Sequence, residues 1–270
     1  MSGVPELRHV QADGLTLGYR EAGSGPALVF IHGMGGNSRN WETQYAQFSD
    51  RYRVVGWDAP GYGGSDDWPP DTPTVADYTR AMAAFLDALG IEAAHMVGHS
   101  FGGTLMPAFQ KAYPARVLSM VPAQPVIGSG PLGAERQAEI VAAREKMLAE
   151  MSVEDYARDH APKSVASTAD AATVAKGIEV TSWTRPKGYL AQWRAMARAD
   201  IFSEIGENLP PTTVIAGQGD KTASQDIVRR IAAALEGAEL VELPDVGHMI
   251  YLEHPERFNA ALEGHLARAG

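Results

Sequence analysis

The stretch Val97-Gly98-His99-Ser100-Phe101-Gly102-Gly103 determines the fold of this 270-residue chain. It follows a short apolar run, predicted as a strand, and precedes an apolar pattern with helical spacing. A serine between two glycines at such a junction has a mechanical explanation, because Gly98 and Gly102 remove side chains that would collide at a sharp turn. The turn holds Ser100 strained and exposed, beside free backbone N–H groups at the helix start. The stretch therefore predicts a nucleophilic serine at a sheet edge.

Strand and helix patterns alternate on both sides of this turn. Ala27–Ile31 is a continuous apolar run, typical of a strand buried on both faces, and Glu239–Leu243 is a later strand candidate. Thr74-Val75-Ala76-Asp77 resembles a capping box that opens a helix. Segments on either side of Asp13-Gly14 are predicted to form an antiparallel hairpin. Strands alternating with helices predict an α/β protein with a mostly parallel sheet covered on both faces.

The alternation stops after Pro122 and resumes at about Thr212. Between roughly Pro131 and Asp200 only helical patterns occur, which we interpret as an inserted helical cap. We predict a core domain formed by residues 1–128 and 201–270, with the cap at residues 129–200.

Composition excludes several classes of protein. The chain contains no cysteine, which excludes disulfides, thiolate metal sites and a thiol nucleophile. A formal net charge of −10, without a Lys/Arg run, argues against a nucleic-acid partner. No signal-peptide pattern and no apolar run long enough to span a membrane is found in the sequence. We therefore expect a cytoplasmic protein acting on a small molecule, as a monomer or a homodimer.

His248 is the predicted base that activates the serine. It lies in a loop after the last strand, and the carboxyl ends of parallel strands meet at one sheet edge, where Ser100 also lies. His99 is next to Ser100, but adjacent side chains on a sharp turn diverge. His254 and His265 are expected on the surface. The alternative for His248 is a loop histidine that bonds only backbone groups.

Asp220 is the predicted carboxylate partner of His248. It comes directly after a strand and gives the order Ser, Asp, His along the chain. The loop after the strand at 117–121 contains no acid, Asp226 lies inside the next helix, and Asp245 is too near His248 in sequence. The alternative role for Asp220 is that of a helix N-cap.

Acyl transfer also needs two backbone N–H donors for the developing oxyanion. Phe101 supplies one, because it follows the nucleophile at the helix start. Met34, in a glycine-rich loop after the third strand, is the natural second. His32 is expected to brace that loop, and Asp58 to bond the N–H groups of its own turn.

Five motifs in this order resemble the α/β-hydrolase fold superfamily: residues 32–36 (His-Gly-Met-Gly-Gly), 58–65 (Asp-Ala-Pro-Gly-Tyr-Gly-Gly-Ser), 98–103, Gly219-Asp220 and Gly247-His248. The likeness covers nearly the whole chain apart from the cap. It implies an eight-stranded, mostly parallel sheet with helices on both faces, a cap after the sixth strand, and no cofactor or metal. It also implies a catalytic triad and an oxyanion hole, formed by Ser100, Asp220 and His248, and by Met34 and Phe101.

The resemblance also narrows the reaction. A serine nucleophile argues against the haloalkane dehalogenases and epoxide hydrolases of the superfamily, which use aspartate. Residues 185–189, running to 199–201, look like the cap exit of enol-lactonase-type and small carboxylesterase members. Lys221 begins a segment where many relatives carry a proline, and Met249 stands near where C–C hydrolases carry a tryptophan. We predict hydrolysis of a small carboxylic ester or (enol-)lactone through an acyl-serine intermediate. The alternatives are C–C hydrolysis of a meta-cleavage-type dienoate diketone, or a small-molecule receptor with little turnover.

Candidate substrate contacts lie at the same sheet edge and in the cap. Trp41 and Gln124 follow sheet strands, and Met249 adjoins the predicted base. An apolar cap stripe either lines an acyl pocket or packs on the sheet; its members are Trp183, Tyr189, Trp193, Met196 and Phe202. The predicted substrate-binding residues are Trp41, Gln124, Trp183, Trp193 and Met249. Four cap cations either receive a substrate carboxylate or form solvated helix faces: Arg185, Lys187, Arg194 and Arg198.

Overall fold

A single eight-stranded sheet organises the computed structural model, which describes residues 3–69 and 72–270. The strand order is β1-β2-β4-β3-β5-β6-β7-β8, with β2 antiparallel to both neighbours and β3 to β8 parallel to one another. The predicted eight-stranded, mostly parallel sheet is confirmed. The strands are β1 (Arg8–Ala12), β2 (Leu15–Ala22), β3 (Ala27–Ile31), β4 (Arg53–Trp57), β5 (Ala94–His99), β6 (Val117–Ala123), β7 (Thr213–Gly217) and β8 (Glu239–Leu243).

Ten α-helices are found in the described part of the chain. They are α1 (Glu42–Phe48), α2 (Val75–Ala88), α3 (Phe101–Ala112), α4 (Gly133–Glu150), α5 (Val153–Ser164), α6 (Ala171–Ser182), α7 (Pro186–Arg198), α8 (Gln225–Ala234), α9 (Ile250–Glu253) and α10 (Pro255–Ala269). Thr74 caps α2 through the capping box expected with Asp77. Within residues 3–69 and 72–270, none of the helices has the length and apolar character that a membrane span requires.

The central strands are buried on both faces. All five residues of β3 are buried, and they alternate between two apolar clusters. Val29 and Ile31 face one cluster, whereas Leu28 and Phe30 face the other, as the two-residue period of a strand requires. Helices therefore cover both faces of the sheet.

Helices α4 to α7 lie between β6 and β7 in the chain, although these two strands are neighbours in the sheet. The chain thus leaves the sheet after β6 and returns beside the same strand. The division into a core at 1–128 and 201–270 and a cap at 129–200 stays a prediction.

Candidate active site

The turn at Ser100 has the strained geometry that its glycines suggested. Ser100 adopts φ 53° and ψ −113° between β5 and α3, a backbone conformation that costs on the order of 1–3 kcal/mol. A Cβ at Gly98 would lie 2.4 Å from the Gly102 carbonyl oxygen, and one at Gly102 would lie 2.3 Å from the Ile31 carbonyl oxygen. No other residue fits either position without moving the backbone, so these contacts fix the serine at the sheet edge.

Three side chains that are distant in sequence form one hydrogen-bond chain. Ser100 Oγ lies 3.0 Å from His248 Nε2, and His248 Nδ1 lies 2.7 Å from Asp220 Oδ2. The Asp220 side chain is fully buried, and its Oδ1 accepts the Thr222 N–H at 2.6 Å. A carboxylate at Nδ1 holds the proton on that nitrogen and leaves Nε2 free to accept the serine proton.

Backbone contacts hold the loop that carries His248. The His248 N–H donates to the Ser164 carbonyl at the end of α5, and the Gly247 N–H donates to Glu253 Oε2. The His99 side chain diverges from Ser100, as expected, and its Nε2–H donates to the His248 carbonyl at 2.7 Å. Burial, together with the nearby His248, holds the pKa of His99 well below its ordinary value, so His99 is a neutral donor.

The glycine-rich loop after β3 packs directly on the serine. A Cβ at Gly33 would lie 2.9 Å from Ser100 Cβ, which leaves room only for backbone. Met34 follows Gly33 and lines the same cavity as Ser100, while Phe101 is the first residue of α3. Both predicted oxyanion donors thus belong to backbone segments that adjoin Ser100.

Buried polar groups brace this loop. His32 Nδ1 bonds the adjacent Gly33 carbonyl at 2.7 Å, and its Nε2 accepts the Ala59 N–H at 3.0 Å. Asp58 accepts the N–H of Gly64 in its own turn and also that of Ser38. The pKa of His32 is lowered, chiefly by burial. His32 and Asp58 therefore have the structural contacts that the sequence predicted for them.

Ser100 and His248 open into a cavity of about 560 Å³, which is large enough for a small organic ligand. Helices from the segment between β6 and β7 form much of its wall. Of the predicted substrate-binding residues, the structure brings Trp193 and Met249 to the cavity surface. The same surface includes three further members of the apolar stripe, Tyr189, Met196 and Phe202.

The structure does not bring Trp41, Gln124 or Trp183 to the cavity surface. Trp41 is fully buried, and its ring packs on Phe30 and Tyr251. It is the last residue of a short helix, which directs the ring into the apolar cluster. Trp183 stacks under the guanidinium of Arg39 instead. The structure thus places neither Trp41 nor Trp183 where the predicted direct contact with substrate would be made.

Gln124 has a different position from the one predicted. It is fully buried, and its Nε2 donates to the Gly247 carbonyl at 3.1 Å and the Gly217 carbonyl at 3.4 Å. These bonds join the ends of β6 and β7 to the loop of His248. Gln124 therefore helps to hold the loop that carries His248, and it does not line the cavity.

The four cations of the predicted cap lie outside the cavity lining. Arg185 and Lys187 pair with Asp67, Arg194 pairs with Glu145, and Arg198 donates to the carbonyls of Thr72 and Pro73. These contacts favour the alternative, solvated helix faces, over binding of a substrate carboxylate.

Of the two histidines expected on the surface, only one lies there. The His254 side chain is exposed and pairs with Glu256. The expectation for His265 is wrong, because His265 is buried and its Nδ1 lies 2.8 Å from Thr213 Oγ1.

Sequence reasoning missed the residues that α4 and α5 bring to the cavity. Arg144, Tyr156 and His160 all line it, and His160 stacks on Tyr156 with ring centroids 5.0 Å apart. Burial, with the nearby charges of His248 and Arg144, lowers the pKa of His160 to about 4. No motif marks these positions. The available signal was helical phase, which puts Tyr156 and His160 on one face of α5.

Comparisons with known proteins identify the family of this chain. A family model described as the α/β hydrolase fold matches residues 26–255. The chain therefore belongs to the α/β-hydrolase fold family, and the resemblance inferred from its motifs is confirmed.

Relatives span most of the chain. It is 30% identical over 264 residues to a dihydrolipoyllysine-residue acetyltransferase component of an acetoin cleaving system from Cupriavidus necator, covering 94% of this chain and 67% of that protein. It is 28% identical over 254 residues to a 2-hydroxy-6-oxo-6-phenylhexa-2,4-dienoate hydrolase from Comamonas testosteroni, covering 89% of this chain and 87% of that protein.

A solved structure shares both the fold and a quarter of the sequence. The enol-lactonase from Burkholderia xenovorans LB400 matches with a TM-score of 0.84 and 25% identity, over 96% of this chain and all of that one. This enzyme and the dienoate hydrolase are both hydrolases, and the prediction that the chain is a hydrolase is confirmed.

Proposed function

We propose that this hydrolase cleaves a small carboxylic ester or (enol-)lactone through an acyl-serine intermediate. The observation that carries the proposal is the hydrogen-bond chain from Ser100 through His248 to Asp220, which opens into a largely apolar cavity. Serine attacks a carbonyl only when a base removes its proton, and the imidazole is the one base in contact with this hydroxyl among the described residues.

Each side chain of the triad has one role in the proposed cycle. Ser100 Oγ attacks the carbonyl carbon as His248 Nε2 takes its proton, and His248 then returns that proton to the leaving alcohol oxygen. A water loses a proton to His248 and attacks the acyl carbon, which releases the acid and restores Ser100. Asp220 stabilises the imidazolium in both halves of the cycle. In a lactone, the leaving alcohol stays attached to the acid.

The N–H groups of Met34 and Phe101 would bind the oxyanion of each tetrahedral intermediate. Their support is the close packing of Gly33 on Ser100 and the start of α3 immediately after the serine. Fixed donors of this kind contribute roughly 100- to 1,000-fold to turnover.

Residues 129–200 are proposed to act as a cap over this site. The supporting contacts are the lining of the cavity by α4 to α7 and the bond from the His248 N–H to the Ser164 carbonyl. A cap that holds the catalytic base couples substrate enclosure to the geometry of the triad.

Hydrolysis of a C–C bond in a dienoate diketone is the second candidate. It is favoured by the similarity to the dienoate hydrolase of Comamonas testosteroni over most of both chains. Against it stands Met249, which lines the cavity directly after His248, near the position where a tryptophan is expected in C–C hydrolases.

The test is a substrate panel run with Ser100→Ala as the first variant. Turnover of the preferred ester or lactone is expected to fall by about four to six orders of magnitude, with the melting temperature nearly unchanged. Ser182→Ala is the matched control, because its hydroxyl bonds the Glu179 carbonyl on α6 and lies outside the cavity lining. Substantial residual turnover in purified Ser100→Ala would overturn the nucleophile assignment.

The panel itself separates the candidates. It contains p-nitrophenyl esters, lactones and dienoate diketones. Fast turnover of esters or lactones supports the proposal, and preferential cleavage of diketones supports the C–C hydrolase. Slow single turnover together with a ligand-induced rise in melting temperature would instead indicate a receptor.

A further inference from the structure

An arginine in the cavity wall has no acceptor for its N–H groups among the residues that the structure describes. Arg144 projects from α4 to the cavity, and its guanidinium carbon lies 4.3 Å from the ring centroid of Trp193 on α7. Its Nε is buried, and neither this atom nor the rest of the guanidinium has a hydrogen-bond or ion-pair partner among the described residues. Burying part of a cation without a counter-charge is unfavourable, so this arrangement favours binding of an anion.

A second donor without an acceptor lies in the same wall. Trp193 also lines the cavity, and its indole Nε1 is buried with no hydrogen-bond partner in the part of the chain that the structure describes. Both groups can only donate hydrogen bonds. Two such donors, stacked on each other, form a site for an acceptor rather than for a second cation.

The other charged groups at the cavity surface leave its wall net positive. Asp200 lines the cavity, but its carboxylate accepts the N–H of Phe202 at 3.1 Å. Arg230 also lines it from α8, is exposed, and lies 5.5 Å from the Phe202 ring. The triad carboxylate of Asp220 is paired with His248 and does not line the cavity. Of these two cations of the lining, Arg144 is therefore the more buried.

Arg144 and the reaction centre both lie close to His160. Its charge and that of His248 both act on His160, which lines the cavity as well. Because His160 is neutral at pH 7, it adds no second positive charge beside Arg144 and does not compete with it for an anion. A group bound at Arg144 thus shares one enclosed space with the serine that attacks the substrate.

We propose that the substrate carries a carboxylate remote from the cleaved bond, and that Arg144, supported by Trp193 Nε1, binds it. The planar fork of a guanidinium matches a carboxylate with two parallel hydrogen bonds, and stacking on the indole fixes the plane of that fork. This inference rests on the proposed ester or lactone hydrolysis for its kinetic consequence, although anion binding itself does not require turnover.

The kinetic test compares a charged ester with its neutral twin. Mono-p-nitrophenyl esters of glutaric, adipic and pimelic acid are each paired with the primary amide of the same acid, and kcat/KM is measured from nitrophenolate release. The wild type is expected to prefer the acid of at least one length by about 10- to 100-fold, as charge-assisted hydrogen bonds allow. Arg144→Gln should abolish this preference, so that kcat/KM for the acid falls to about the value for its amide in the same variant.

Two further variants locate the effect. Arg144→Lys keeps the charge but not the fork, and is expected to retain only part of the preference. Arg136→Gln on the same helix is the control, because Arg136 pairs with Glu139 and lies outside the cavity lining. An unchanged preference in Arg144→Gln, or equal rates for acid and amide in the wild type at every length, would overturn the inference.

Binding without chemistry separates this inference from the proposed function. Calorimetry of glutarate and adipate with Ser100→Ala measures the anion site in a protein that cannot turn over. Affinity that falls at least 10-fold in the Ser100→Ala/Arg144→Gln double variant supports the site, even if no ester is hydrolysed and the proposed function fails. Equal affinity in both proteins overturns the site, even if ester hydrolysis is established.

Discussion

Two helices next to the cavity are built in opposite ways. In α3, which starts at the strained Ser100, every residue from Phe101 to Gln110 is buried. In α4, which carries Arg144, none of the 18 residues is buried. The first helix is packed along most of its length, with close backbone contacts at its start. The second reaches the cavity through the side chain of Arg144.

This difference separates what is fixed in the site from what can vary. The serine is positioned by glycines whose neighbours are main-chain atoms, so a change there displaces a strand or a helix. The wall from α4 can change its chemistry by exchanging one side chain with little effect on packing. Mutations at the reaction centre are therefore expected to change turnover and stability. Mutations in the wall from α4 are expected to change which substrates are selected.

At the reaction centre, the largest effect on turnover is expected from Asp220→Asn. The amide keeps the size of the side chain and can still accept the Thr222 N–H. It can also donate to His248 Nδ1, which favours the tautomer with a proton on Nε2, so that the base cannot accept the serine proton. We expect turnover to fall by about 10⁴-fold, with little change in melting temperature.

Asp226→Asn is the matched control for this variant. Asp226 is the exposed acid in the first turn of α8, and it was the sequence alternative closest to Asp220. Its replacement should leave turnover within about 2-fold, since surface substitutions rarely matter. Equal losses in the two variants, measured with the same ester, would contradict the role of Asp220.

Gly102→Ala tests the backbone packing behind the serine. The added Cβ would lie 2.3 Å from the Ile31 carbonyl oxygen, so α3 must move away from β3. We expect the free energy of unfolding to fall by about 3 kcal/mol, as measured by urea denaturation.

The control substitution is the same change in a helix with free space. In α10, a Cβ at Gly264 would meet only the end of the Arg268 side chain, at 3.5 Å. Gly264→Ala is therefore expected to stabilise the protein by about 0.5–1 kcal/mol. The comparison is supported if Gly102→Ala lowers the free energy of unfolding and Gly264→Ala raises it. A neutral Gly102→Ala would mean that the packing between α3 and β3 is looser than described.

The same contrast explains which parts of the fold and the site could be predicted from the sequence. Strand β3 and the turn at Ser100 are specified by local signals, a continuous apolar run and glycines at a required spacing, and both were predicted at their observed positions. His248 and Asp220 followed from strand ends, because the edge at which parallel strands end is set by topology.

The wall residues had no comparable signal. Arg144 lies on a helix with no buried residue, and helical spacing alone could not show that its side chain reaches a cavity. Which side chains reach the cavity depends on how α4 to α7 pack on one another, and that is a tertiary property. The strand-end argument also failed for Trp41, because the short helix after the β3 loop turned its ring into the apolar cluster beside Phe30.

Apart from the controls, the smallest expected effect is a change in the pH dependence of stability, caused by His160 in the cavity wall. His160 has its pKa lowered to about 4, first by burial and then by the charges of His248 and Arg144. The unfolded chain takes up this proton near the ordinary pKa of 6.5, whereas the folded state resists it until about pH 4. Between these values the unfolded state binds more protons, so stability falls as the pH falls through this window.

His160→Gln should remove that contribution without adding a charge. The variant and the wild type are compared by urea denaturation from pH 8 to pH 4. Their difference in unfolding free energy is expected to be constant above pH 7, and then to shift in favour of the variant by on the order of 2 kcal/mol towards pH 4. The amide of the substituted side chain can still bond the Ser164 hydroxyl, as His160 does, which keeps the variant close to the native contacts. A constant difference across the whole range would mean that His160 takes up its proton equally well in both states, and that the helical wall admits water freely around this side chain.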